Sequence, residues 1–124
     1  MEPIRTVICQ KSPVLRSQLA DFLAEAGISD VTLACSLPGL REKATKCKPH
    51  LILLDIYLMD DDCRALLQGL RQEMPQVKVV LTGPEPEAYY AKHIATMGAD
   101  LYLSDGLQPD EWIKRLQSVT IIPR

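Results

Sequence analysis

What this sequence lacks narrows it before any motif is read. No apolar run approaches the roughly 20 residues of a membrane-spanning helix, and the N-terminus, with Glu2 and Arg5, has no apolar stretch of signal-peptide length. A cytoplasmic protein without membrane contact is expected. The four cysteines, Cys9, Cys35, Cys47 and Cys63, match neither a metal-ligand pair nor a dense disulfide framework, which predicts reduced thiols. His50 and His93 have no neighbours at metal-ligand spacing, so neither is expected to hold a metal. Charge of neither sign dominates: the formal net charge of −2 offers little to attract nucleic acid or an anionic membrane. No glycine-rich phosphate loop follows the first apolar run, and no serine- or histidine-centred triad is legible, which argues against a small-molecule enzyme. Internal repeats and low-complexity tracts are missing too.

What is there is an ordinary globular composition, 47% apolar and 24% charged, in a chain long enough to bury about two thirds of its unfolded surface as one domain. Its organising stretch is residues 49–55. Leu51, Ile52, Leu53 and Leu54 are four consecutive large aliphatics, too short a run for a helix, introduced by Pro49 and ended by the single charge of Asp55. That pattern predicts a strand buried on both faces. Asp55 then stands where a core strand stops, and in open α/β sheets the crevice beyond the carboxyl ends of the strands is where chemistry is found.

Other segments arrange themselves around this strand. Residues 6–9 predict a first buried strand. Ser12 as N-cap and Pro13 at the first helical position open a helix whose apolar face is Val14, Leu15, Leu19, Phe22, Leu23 and Ala26, ended by Gly27. Residues 30–35 predict a sheet-flanking strand, half exposed at Thr32. Residues 38–47, with Leu37, Leu40 and Ala44 on one side, predict a short solvated helix. Asp60, Asp61 or Asp62 caps a third helix with Ala65, Leu66, Leu70 and Met74 inward, stopped by Pro75. Residues 77–82 predict a strand, and residues 85–97 a helix presenting Ala88, Ala91, Ile94 and Ala95, with Gly98 at its end. Residues 100–104 form a fifth strand, and Pro109 starts a helix carrying Trp112, Ile113, Leu116 and Val119. Such alternation asks for one parallel sheet with helices on both faces. Residues 1–119 make one domain, and residues 120–124 a tail or the start of a linker.

Ile4 and Arg5 before the first strand, Pro13 to Arg16 opening the first helix, residues 49–55, residues 77–82, and Gly98, Ala99 and Asp100 followed by Tyr102 and Leu103 share one spacing pattern. Together they resemble the receiver domain of bacterial two-component response regulators, nearly end to end. The resemblance implies a flavodoxin-like (CheY-like) three-layer sandwich, a five-stranded parallel sheet of order 2-1-3-4-5 with five helices. It also implies a phosphoryl-accepting Asp55, a phosphoryl-oxygen ligand at Thr82, and an aromatic at Tyr102 that in relatives moves on activation. It implies partners as well: a histidine kinase, and a protein partner or second copy on the face of the fourth helix, fifth strand and fifth helix, where Tyr89, Tyr90, Lys92, Tyr102, Trp112 and Lys114 fall. In the family this domain often precedes a DNA-binding domain, so the intact protein would be a transcriptional regulator, with no nucleic-acid contact by this domain itself.

Where relatives carry two metal-binding acids this sequence has Gln10 and Lys11, and where they carry a lysine after the fifth strand it has Asp105. Magnesium is a hard cation that seeks oxygen ligands. An ammonium at Lys11 directed at Asp55 would take over its electrostatic role, with a gross attraction of about 4 kcal/mol at ~4 Å and an effective dielectric near 20. Asp105 would add negative charge where a phosphoryl group needs neutralising. The expectation is therefore a binding and signalling module, no enzyme, with no cofactor, weak or absent phosphorylation of Asp55, and Tyr102 fixed by packing. The alternative is a working phosphoacceptor, phosphorylated at Asp55 by a histidine kinase with Mg²⁺ held in the crevice.

Overall fold

The computed structural model describes residues 3–119; the expected tail at 120–124 lies outside them. Strands and helices alternate in chain order: β1 (Arg5–Cys9), α1 (Pro13–Glu25), β2 (Asp30–Ala34), α2 (Leu37–Cys47), β3 (Leu51–Asp55), a 3-10 turn (Ile56–Leu58), α3 (Asp61–Glu73), β4 (Lys78–Gly83), α4 (Glu87–Tyr90), β5 (Leu101–Ser104) and α5 (Pro109–Gln117). All strand pairings are parallel, in the order β2-β1-β3-β4-β5. This is the flavodoxin-like topology.

Alternation along β3 explains why it is central. Leu51 and Leu53 pack with Ile8, Val80 and Leu103 beneath Leu19 and Leu23 of α1 and Trp112 and Leu116 of α5. Ile52 and Leu54 pack with Val7, Cys9, Val79 and Leu81 beneath Leu40 and Ala44 of α2 and Leu66, Leu67 and Leu70 of α3. All four β3 aliphatics are fully buried, each worth about 1.5–3 kcal/mol over exposure.

Side-chain caps set three helix starts. Ser12 Oγ accepts the Leu15 N–H at 3.3 Å, Ser36 Oγ the Gly39 N–H at 3.2 Å, and Asp60 Oδ1 the Cys63 N–H at 2.7 Å. Asp61 and Asp62 fall in the first turn of α3, where the helix dipole favours acids. Lys48 ends α2 in the left-handed region, φ 48°, and the Arg5 guanidinium binds its carbonyl at 3.0 Å and that of Cys47 at 2.8 Å.

Several expectations about inward faces need correction. Val14, assigned inward on α1, is exposed in the first turn of the helix, ahead of the buried Leu19 and Leu23. Ala65 is exposed on α3, and Cys63 and Leu67 are buried beside Leu66 and Leu70. The helix expected over residues 85–97 is a single α-turn, Glu87–Tyr90, followed by turns up to Gly98 at φ 83°. Its N-cap is Pro86, which makes no side-chain hydrogen bond, and no residue of the turn is buried. Ala88, Ala91 and Ala95 are exposed, and only Ile94 is half-buried. Alanines at helical spacing bury too little area to hold three turns against the sheet.

Candidate functional site

The carboxyl ends of β1, β3, β4 and β5 bring most of the expected site residues to one end of the sheet. Asp55 closes β3 in register with Thr82 on β4. It is half-buried, and its Oδ1 accepts the Tyr57 N–H at 3.0 Å, so the carboxylate caps the 3-10 turn that follows it. Thr82 is buried. Beyond β1, Gln10 is also buried; its N–H donates to the Ala34 carbonyl at 3.0 Å and its Oε1 accepts the Ser12 N–H at 3.1 Å. Asp105 follows β5, half-buried, with its N–H donating to the Gly83 carbonyl at 2.8 Å. Tyr102, buried on β5, donates its hydroxyl to the Glu85 carbonyl at 2.7 Å.

Lys11 does not play the part expected of it. Its side chain is exposed, and among the described residues no carboxylate forms an ion pair with it. Its carbonyl and that of Gln10 instead accept from the Arg16 guanidinium, at 3.1 and 2.7 Å. The reason is steric and local: Gln10 fills the buried position after β1 and turns back to cap the Ser12 amide, which leaves the next side chain facing solvent. The crevice is acidic. Burial, then the charges of Asp55 and Glu85, push the Asp105 carboxyl above the usual carboxylate range.

That donor set does not fit a hexacoordinate magnesium ion. Gln10 is a neutral amide whose oxygen is engaged by Ser12, Lys11 is a cation turned outward, and among the described residues no three acidic, histidine or cysteine side chains converge as ligands. Nucleophilic chemistry by cysteine is disfavoured as well: burial pushes the Cys9 thiol up to about 12 and the Cys63 thiol up to about 11.

Glu85 and Tyr57 are the residues that sequence reasoning passed over. The Tyr57 hydroxyl donates to Glu85 Oε1, a contact between the turn after Asp55 and the loop after β4. Two signals were legible: Tyr57 lies two residues past Asp55, and tyrosine supplies four of the chain's six aromatic residues. The partner face is also revised. Trp112 is fully buried and packs on Phe22 of α1, ring centroids 5.4 Å apart, and Tyr102 is buried, so neither can meet a partner. Tyr89, Lys92 and Lys114 are exposed there, and the Arg115 guanidinium pairs with Glu87 between α5 and α4.

Residues 6–117 match the family model described as the response regulator receiver domain. The chain belongs to that family. Among solved structures, the receiver domain is similar to that of the TMAO respiratory system response regulator TorR, at 29% identity and TM-score 0.74 over 94% of this chain and 95% of that one. The chemotaxis protein CheY4 of Vibrio cholerae shares the fold at 19% identity and TM-score 0.78, covering 96% of this chain and 100% of that chain. A curated relative, the protein-glutamate methylesterase/protein-glutamine glutaminase of Archaeoglobus fulgidus, is 32% identical over 79 residues, 64% of this chain and 23% of its own length. The chain thus spans about a quarter of that relative. As a receiver domain it is a signalling domain of two-component systems, and no helix among the described residues is long and apolar enough to cross a membrane.

Proposed function

We propose that this receiver domain works as a cytoplasmic protein-interaction module, with weak or no magnesium-dependent phosphorylation at Asp55 and no enzymatic output of its own. The observation that carries this reading is Asp105, which stands where relatives have a lysine and whose carboxyl is pushed up by burial and by the charge of Asp55. An incoming phosphoryl group brings further negative charge into the same crevice, and stabilising that charge is most of what catalyses phosphoryl transfer. Gln10 in place of a metal-binding acid supports the reading, since its amide oxygen is held by Ser12. Output then depends on surface contacts, by a second copy or a protein partner on the face carrying Tyr89, Lys92 and Lys114, with a histidine kinase as one candidate partner. In a longer protein the partner domain would be an output module such as a DNA-binding domain.

The test is to incubate the protein with a small acyl-phosphate donor and Mg²⁺ and to follow intact mass. Little or no increase of about 80 Da, the mass of one phosphoryl group, is expected. Stoichiometric labelling that disappears in Asp55→Ala would overturn the reading and favour a working phosphoacceptor served by a histidine kinase.

A further inference from the structure

Three of the chain's four tyrosines, Tyr57, Tyr90 and Tyr102, gather about one residue, Glu85, and the fourth, Tyr89, packs on Tyr90. Tyr57 reaches it from the turn after Asp55 and donates to its carboxylate. Tyr102 reaches it from β5 and donates to its backbone carbonyl at 2.7 Å. Tyr90 packs on Tyr102 with ring centroids 4.9 Å apart, and burial first, then its interaction with Glu85, push its phenol up. Tyr89 meets Tyr90 edge to face at 4.7 Å and is exposed. A continuous set of contacts therefore runs from the turn beside Asp55, through Glu85, to the exposed tyrosine on the partner face.

Beside these contacts, the segment carrying Glu85 is tied to α5 by the Arg115–Glu87 ion pair. It leaves β4 at Gly83 and enters α4, a single turn with no side-chain cap and no buried residue. At Gly83 a Cβ would lie 2.8 Å from both the Tyr102 hydroxyl and Ile56 Cγ2, so the strand tip admits the tyrosine only because it is glycine. Glu85 Oε2 is buried without a hydrogen-bond partner. Tyr57 is itself exposed, and its hydroxyl, donating to the other carboxylate oxygen, offsets part of the cost of withdrawing Glu85 from water.

We propose that Glu85 is a positioning residue: with Tyr57 as its strap, it holds the β4–α4 loop across the mouth of the Asp55 pocket and keeps Tyr102 in its buried place. One carboxylate thereby sets the shape of the pocket and of the surface around Tyr89 with no covalent change at Asp55, a consequence that rests on the proposed function. The mechanical claim does not depend on phosphoryl transfer, and neither do its readouts.

The experiment is tyrosine nitration by tetranitromethane, mapped by peptide mass, together with backbone hydrogen exchange. In the unaltered protein Tyr89 is nitrated and Tyr102 is protected. In Tyr57→Phe, which keeps the ring and removes the hydroxyl, nitration of Tyr102 and exchange over residues 84–98 rise roughly tenfold, the change expected for losing one hydrogen bond to a charged group. Glu85→Ala reproduces this, while Glu85→Gln, whose amide oxygen still accepts from Tyr57, restores protection. Unaltered protection of Tyr102 in both Tyr57→Phe and Glu85→Ala would overturn the proposal. So would exchange that rises equally in β1 and β3, since the contact would then hold the whole fold rather than this loop.

Discussion

At the scale of single residues, the acid after β5 decides the character of the crevice. The Asp105 carboxyl titrates above the usual carboxylate range in the folded protein, through burial first and the charges of Asp55 and Glu85 second. The unfolded chain releases that proton at lower pH, so between the two values the folded state binds more protons and stability falls as pH rises. Asp105→Asn removes that loss. Thermal unfolding at stepped pH should show the variant more stable at neutral pH, by under about 1 kcal/mol given partial exposure. The advantage should vanish in acid, below the ordinary carboxylate range; an equal difference at every pH would mean that charge is not its source. Asp55 was nameable from the sequence because it ends an apolar run, where strand register puts it at the sheet's rim, whereas Thr82 and Asp105 were singled out only through the resemblance to receiver domains. Lys11 was misread for a related reason: sequence gives the position after a strand but not which way a long flexible side chain turns.

At the scale of elements, two helix starts were legible from the side chain that satisfies an orphan N–H, whereas the Ser36 cap of α2 was not. Ser12 and Asp60 perform that task from the positions their residue types suggest, Asp60 with the shorter bond, 2.7 Å against 3.3 Å, and with a charge facing the helix dipole. Asp60→Ala is accordingly expected to cost about 1–2 kcal/mol and Ser12→Ala about 0.5–1 kcal/mol. Both should appear as lower urea midpoints at unchanged slope; a Ser12 variant losing more than the Asp60 variant would contradict this ranking. The fourth helix shows the opposite case. Its spacing was helical, but three of its four apolar positions were alanine and its start had no capping side chain, so propensity had no tertiary packing to reinforce it.

At the scale of the molecule, two apolar layers on either side of β3 carry the stability, and Trp112 is the largest side chain wholly inside them. Trp112→Ala should cost about 3–5 kcal/mol, a large share of the 5–15 kcal/mol typical of a domain, whereas Tyr89→Ala should stay within about 0.5 kcal/mol. Denaturant titration of the two variants checks this, and a well-folded Trp112→Ala at full stability would remove Trp112 from the core. The order of strands and helices, the central place of residues 51–54 and the rim position of Asp55 were determined by the sequence itself, because hydrophobic period and turn chemistry are local properties written residue by residue. Only the tertiary structure decided that Trp112 faces α1 rather than a partner, that Lys11 leaves the crevice, and that Tyr57 and Tyr102 meet at Glu85. Each of these joins groups far apart along the chain, and such meetings depend on how the layers close over one another, which no local pattern encodes.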